Sequence, residues 1–385
     1  MTARGETRGA APRAASGAAG HVAGGAARRG SGGAARRVAG GAARHAAVLL
    51  ALALLVLAGC GKTTTAREPD VLVAGDAAAR REAPDRQTRG VRIATARIVF
   101  ITHGQASDAF WKVVQRGIEE AHRQSGAAVS YRAPDAFSLD RMRRFIDEAV
   151  ADRPDGIVVS LPDADALAPA IKRAVAAGIP VVTINSGSEH FRALGALAHV
   201  GQPEYRAGVE AGERMARADV RRALCVNQES GNTGLDERCR GLAKGLARSG
   251  GSMQPLTVPR QDTRAAQRRL AEALAAGPVD GILTLGPAGA EPALAAVRAS
   301  GLRRRVKLAT FDLSPAVLAA VRDGQMLFAV DQQPYLQGYL PVMLLAERAR
   351  YGVFPAEGKL IPTGPKFIGK ADAPEVIRLS AEGIR

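Results

Sequence analysis

From Arg97 onward the chain alternates short apolar runs with longer stretches of helical period. Gly156-Ile-Val-Val-Ser160 and Ile179-Pro-Val-Val-Thr-Ile184 carry β-branched and apolar residues on both faces. Strands of that kind belong to a parallel sheet covered on both sides by helices. The pattern predicts strands at 97–102, 128–132, 156–160, 180–185, 197–200, 222–227, 280–285, 306–311 and 326–330. Helices are predicted near 110–125, 138–152, 165–177, 204–218, 233–248, 264–276, 288–300, 314–323 and 334–350. The βαβα alternation predicts an α/β, doubly wound architecture. There are too many units for one ordinary sheet, so two Rossmann-like lobes with parallel sheets are expected. In such sheets the ligand lies outside the carboxyl ends of the strands.

Composition changes this picture mainly at the N-terminus. The 385 residues are 46 % hydrophobic and 23 % charged, ordinary for a globular protein of two domains. The net charge of +16 raises nucleic acid as a partner. However, residues 1–59 hold eight Arg, no Lys and one Glu, which places +7 of the excess there and +9 in the rest. Within them, Ala46 to Ala58 is an apolar run, AAVLLALALLVLA, preceded by Arg44 and His45. It is shorter than the ~20 residues of a permanent membrane span. Its charged, apolar and small-residue regions are those of a secretory signal peptide, and export excludes nucleic acid. Leu57-Ala58-Gly59-Cys60 resembles the bacterial lipobox, whose cysteine is acylated before cleavage ahead of it; the plainer alternative for Cys60 is a buried or disulfide-bonded thiol. Two or more acyl chains anchor a protein firmly. Residues 1–45 have no hydrophobic period and read as disordered. Residues 60–95 read as a flexible tether.

The strand ends carry amides, carboxylates, an arginine and rings. THGQASDAFW (102–111) follows the first strand and holds Asp108, Phe110 and Trp111, the last being the sole tryptophan. Later ends offer Asn185, the run Asn227 to Asn232 with Arg238 beyond it, Gly286 to Gly289, Asp312, and Gln332-Gln333. Asp, Asn, Gln and Arg together supply the donors and acceptors that a polyhydroxylated ligand needs, and rings cover the C–H faces of a sugar. Plainer alternatives stand beside these. Asp108, Asp163 and Asp165 are also suitable helix N-caps. Phe110 and Trp111 suit a core, Asn185 a turn, and Arg238 a solvated face.

At these residues the chain resembles the periplasmic sugar-binding proteins of the ribose/galactose type, the type I substrate-binding proteins of ABC importers. The resemblance covers about 97–370. The family's first strand leads into an Asn/Asp-x-Phe-Phe/Trp turn, here Asp108, Phe110 and Trp111. Its Gly-Ile-Pro-Val-Val run leads to a polar residue, here Asn185. Its ligand-binding arginine corresponds to Arg238 in Arg238-Cys-Arg-Gly-Leu242, where Leu replaces the usual Phe. A late strand ends in Phe311-Asp312, and the final crossing carries Gln332, or Gln333 if the register shifts by one. Gly286-Pro287-Ala288-Gly289 replaces a usual Asn-Asp pair. Ser160 stands nearest a second site asparagine, and Asn185-Ser186 replaces the Asp-Arg pair of ribose binders, which argues against ribose.

The resemblance implies a type I periplasmic binding protein fold, with a three-crossing hinge between lobe 1 (96–201 plus 333–360) and lobe 2 (202–332 plus 361–385). It implies a monomer without cofactor that captures a sugar or polyol between the lobes and delivers it to an ABC permease. The location implied is the periplasm or the outer face of the cytoplasmic membrane, with a lipid anchor at Cys60. Loss of Arg238 or Asp312 is expected to weaken binding by ~1–3 kcal/mol while leaving the fold intact.

Other functions fit less well. Repressors of the lactose-repressor type share these lobes but begin with a helix-turn-helix, where this chain has a signal peptide. There is no GxSxG elbow, no HExxH or GxxxxGK[ST] and no Cys/His metal set, and Ser188-Glu189-His190 reads as a loop. A sensory role, feeding a chemoreceptor or sensor kinase, and a non-sugar ligand stand as alternatives. Cys225 and Cys239, in a strand and the next helix, are either bridged or two buried thiols.

Overall fold

The computed structural model describes residues 95–106 and 108–385. The apolar run, Cys60 and all but the last residue of the expected tether lie outside them. In chain order the first elements are β1 (Arg97–Ile101), α1 (Ala109–Ser125), β2 (Ala128–Arg132), α2 (Leu139–Asp152), β3 (Gly156–Ser160), α3 (Ala164–Ala176), β4 (Val181–Asn185) and β5 (Ala198–Gly201). Then follow α4 (Glu204–Arg217), β6 (Arg222–Asn227), α5 (Thr233–Ala247), β7 (Ser252–Thr257), α6 (Thr263–Ala276), β8 (Gly281–Thr284), α7 (Pro287–Ala299), β9 (Lys307–Phe311), α8 (Pro315–Arg322) and β10 (Ala329–Asp331). The chain closes with α9 (Pro334–Tyr351), β11 (Lys359–Pro362), β12 (Lys366–Ile368) and α10 (Ala373–Ala381). Among the described residues no helix is long and apolar enough to cross a membrane.

The strands form two six-stranded sheets, ordered β11-β5-β4-β3-β1-β2 and β12-β10-β9-β8-β6-β7. The nine expected strands are β1 to β6 and β8 to β10; β7, β11 and β12 were not expected. All pairings are parallel except β10 with β12. The two sheets repeat one order, so each has its switch point at the equivalent place, β1/β3 and β6/β8. Successive strand residues point to opposite faces, and each lobe accordingly builds two cores. Val99, Ile157 and Val159 face α2 and α3, while Ile98, Phe100 and Val158 face α1 and α9. In the second lobe Leu224 and Ile282 face one side, and Ala223, Leu283 and Phe311 the other. Phe100 and Phe311 are fully buried, and truncating a phenylalanine so placed costs ~3–5 kcal/mol.

Among the described residues the chain passes between sheets three times: from β5 to α4, from β10 to α9, and from β11 to β12. β11 carries the first sheet to Pro362, two residues beyond the boundary expected at 360. The pair left open in the sequence is bridged: Cys225 of β6 and Cys239 of α5 form a disulfide, Cα–Cα 5.7 Å.

Candidate functional site

A cavity of about 160 Å³ lies between the two sheets at their carboxyl ends. The β1–α1 turn builds one wall. Asp108 is extended (φ −65°, ψ 139°) and its Oδ1 accepts the Phe110 N–H at 3.0 Å, which caps α1. Capping holds the next two residues at the cavity edge. Trp111 is buried and meets His103 edge-on at 5.1 Å, and Phe110 meets Trp111 edge-on at 5.0 Å. Gly104 lies against the indole, where a Cβ would collide with Nε1. The two aromatic readings therefore combine: Trp111 belongs to the core and, with half-buried Phe110, also borders the cavity.

The cavity base is made by residues at equivalent places in the two lobes. Asn185 ends β4 and Asp312 follows β9, and both take left-handed backbone, φ 62° and 61°. Asn and Asp tolerate that region better than other side chains. Gln332, in the second crossing, joins them: its Nε2 donates to Asp312 Oδ1 at 2.6 Å, and its Oε1 accepts from Asn185 Nδ2 at 3.0 Å. The register alternative fails, because the Gln333 amide turns away to the Thr363 carbonyl. Burial raises the Asp312 carboxyl, and although Arg238 and Gln332 pull it down, its pKa stands at about 6.

Arg238 reaches the cavity from α5, but it is no solvated residue. Its Nε and Nη2 donate to Glu204 of α4 at 2.6 and 2.9 Å, its Nη1 to the Leu285 carbonyl at 3.3 Å, and its guanidinium covers the Phe311 ring at 4.4 Å. Asp312 Oδ2 is 3.9 Å away. The pair is possible because α4 and α5 touch backbone to backbone: Gly208 lies on the Arg238 carbonyl and Gly241 on that of Tyr205. Burial opposes the Arg238 charge, but Glu204 reverses the effect and the pKa is raised. One expectation is corrected here. Removing Arg238 leaves Glu204, which is fully buried, without its partner. Glu204 keeps the Gln202 amide at 2.9 Å, but stranding a buried charge costs ~3–5 kcal/mol, so the substitution would lower stability as well as affinity.

All seven cavity residues read from the sequence, Asp108, Phe110, Trp111, Asn185, Arg238, Asp312 and Gln332, border this space. So do five further polar or charged residues: His103, Gln228, Glu229, Asn232 and Arg260. Asn232 caps α5 through Gly234 N–H at 3.1 Å, accepts from Ser186 Oγ at 3.2 Å and donates to Glu229 at 2.9 Å. Arg260, in the loop before α6, donates to Glu229 at 2.6 Å and pairs with Asp108 of the opposite lobe. Burial raises the Glu229 carboxyl, but His103, then Arg260 and Asn232, outweigh it, and its pKa falls to about 2. The Thr233 N–H and hydroxyl both donate to the Pro162 carbonyl, so the lobes are shut on the cavity. Asp163, as its plainer reading held, caps α3 through Ala166 N–H.

Ser160, His103 and Glu229 stand in hydroxyl–imidazole–carboxylate order, at 2.9 and 3.6 Å. Ser160 is fully buried behind His103, accepts the His103 backbone N–H, and does not border the cavity, so no ligand reaches its oxygen. Among the described residues no cluster of His, Cys, Asp and Glu fits a metal ion.

Residues 98–352 match the family model of the periplasmic binding protein domain. A solved carbohydrate transporter from Acidothermus cellulolyticus 11B, in complex with myo-inositol, is 36 % identical; the match covers 76 % of this chain and 100 % of that one, with a TM-score of 0.70. A xylose/arabinose-binding protein from Sulfolobus acidocaldarius is 24 % identical over 295 residues, 71 % of each chain. The D-ribose/D-allose-binding protein of Pseudomonas aeruginosa is 23 % identical over 246 residues, 61 % of this chain and 76 % of that one.

Proposed function

This chain belongs to the type I periplasmic sugar-binding proteins, and from that premise we propose that its cavity captures one neutral polyhydroxylated ring, a cyclic polyol or a sugar, without altering it chemically. The observation that carries this reading is the pairing of both cavity arginines. Arg238 is held by Glu204, and Arg260 by Glu229 and Asp108. No guanidinium is left over for a sugar acid or a phosphate, while Asp312 adds a further carboxylate beside Arg238. Amides of Asn185, Asn232, Gln228 and Gln332 offer donors and acceptors around the ring, and Phe110, Leu235, Leu285 and Pro287 offer apolar surface for its C–H face. The myo-inositol bound by the Acidothermus protein supports the cyclic-polyol end of this class.

In the wider role we propose, the acylated Cys60 tethers the protein outside the cytoplasm, residues 96–201 with 333–362 and 202–332 with 363–385 close as two bodies, and the shut form delivers its ligand to an ABC permease. Trp111, the sole tryptophan, is a built-in reporter. Purified protein titrated with myo-inositol, pentoses, hexoses, sugar acids, sugar phosphates and amino acids is expected to change fluorescence only with a neutral ring. The same ligand should raise the unfolding midpoint as RT ln(1 + [L]/Kd). Saturation by a sugar acid, a sugar phosphate or an amino acid, with none by a neutral ring, would overturn the substrate class.

A further inference from the structure

The outer wall of the cavity is shared. His103, Gln228, Glu229 and Arg260 border both the inner space and a vestibule of about 420 Å³ nearer the mouth, whose far side carries Phe137 and Gln261. Arg260 crosses this wall. Its Nη1 donates to Glu229 Oε1 of its own lobe at 2.6 Å, and its Nη2 pairs with Asp108 Oδ2 of the other. Glu229 Oε2 in turn stands 3.6 Å from His103 Nε2, again of the other lobe. The order along the wall is thus lobe 1, lobe 2, lobe 2, lobe 1. Both ends of this chain of polar contacts sit on one lobe and its middle on the other, so it exists only when the lobes are shut. A planar guanidinium fork bridging two carboxylates is a strong and directional arrangement.

We propose that Arg260 is the seal of the binding cavity: it sets the ligand's residence time and confines the ligand to a single ring. This rests on the function proposed above. With Arg260 in place, a substituent on the ring that points toward the mouth meets the guanidinium. Without it the inner cavity opens into the vestibule, where the Phe137 ring and the Gln261 amide suit a second sugar unit. The seal also differs from ordinary packing in its salt response. Arg260 and Asp108 keep 31 % and 29 % of their side chains exposed, so mobile ions reach the pair and weaken it.

The test follows Trp111 fluorescence by stopped flow in wild type, Arg260→Ala, Arg260→Lys and, as control, Arg264→Ala, whose side chain is exposed on the next helix. Two probes are used, myo-inositol and its galactosyl glycoside, or the sugar found in the titration above and its disaccharide. In wild type the single ring is expected to bind, its release to quicken with salt, and the glycoside to fail. Arg260→Ala should release the ring at least ~10-fold faster, since interface changes act mostly on dissociation. It should lose the salt response and admit the glycoside. Arg260→Lys, a charge without the fork, should fall between, and Arg264→Ala should match wild type. Unchanged release and ligand range in Arg260→Ala would overturn the seal while the sugar-binding function stands. If wild type binds neither probe class, the function proposed above falls. Small-angle scattering without ligand then decides the seal: a more open Arg260→Ala supports it, and identical profiles overturn it.

Discussion

Asp312 gives a residue-scale prediction with a definite sign. Its carboxyl titrates near 3.8 when unperturbed and at about 6 in the folded protein, because burial outweighs Arg238 and Gln332. The folded state therefore binds the proton more tightly than the unfolded one. The stabilisation is fully present below pH 3.8 and is lost as pH rises through about 6. Its ceiling is about 3 kcal/mol. The melting temperature of wild type relative to Asp312→Asn should accordingly climb as pH falls from 7 to 5, and a flat difference would mean that the carboxyl is ionised throughout. Asp312 was legible because it ends a β-branched apolar run, and the same signal marked Asn185 and the Asp108 turn. Arg260 gave no such signal. It follows an edge strand with no apolar pattern, and its partner Asp108 is 152 positions away. His103 and Glu229 lie in turns the sequence did mark, but a polar residue after a strand looks the same whether it faces a ligand or water.

Four elements escaped sequence reading, β7, β11, β12 and the C-terminal helix α10, and they have little to bury; α10 buries only Ala373 and Val376. β7 is SMQPLT, exposed or half-exposed throughout and carrying Pro255, and it lies on the edge of its sheet, where proline is tolerated. β11 and β12 are four and three residues long, too short for an alternating pattern to emerge. The long central strands and amphipathic helices were legible to within a few residues because burial on both sheet faces dictates their composition. The contact between α4 and α5 was not, since glycine in a helix reads only as weak propensity. Here it has a structural reason: a Cβ on Gly241 would run into the Tyr205 carbonyl and the Val209 amide. Gly241→Ala should part the two helices and loosen the Arg238–Glu204 pair. Overpacking of this kind costs ~1–3 kcal/mol, partly offset by the ~1 kcal/mol that alanine gains in a helix. Urea unfolding should show a lower midpoint, and ligand affinity should fall with it. A variant as stable as wild type would mean that the helices can slide apart freely.

At the scale of the whole molecule, closure needs both a mouth that shuts and a hinge that transmits. The hinge is polar and continuous. Gln332 links Asp312 of one lobe to Asn185 of the other, and Gln337 Nε2 donates to Gln332 Oε1 at 2.9 Å and to Thr363 Oγ1, in the third crossing, at 3.3 Å. At the first crossing Gln202 Nε2 donates to Glu204 at 2.9 Å, and Glu204 holds Arg238. Two cavity residues are thus tied to crossing segments, Asp312 directly and Arg238 through Glu204, so a ligand that orients them also fixes the angle between the lobes. Gln332→Ala tests this. It leaves Asp312 and Asn185 in place but removes their common partner: Asp312 Oδ1 loses its amide donor, at ~1–3 kcal/mol, and Asn185 Nδ2 keeps only its longer bond to Gln337 Oε1 at 3.4 Å. Ligand affinity should fall by ~10-fold or more. Because the bridge couples ligand to lobe angle, scattering at saturating ligand should also report a wider spread of openings than wild type, an effect that loss of one direct contact would not produce. Weakened binding with full closure at saturation would make Gln332 a simple ligand contact and place the transmission of closure elsewhere in the hinge.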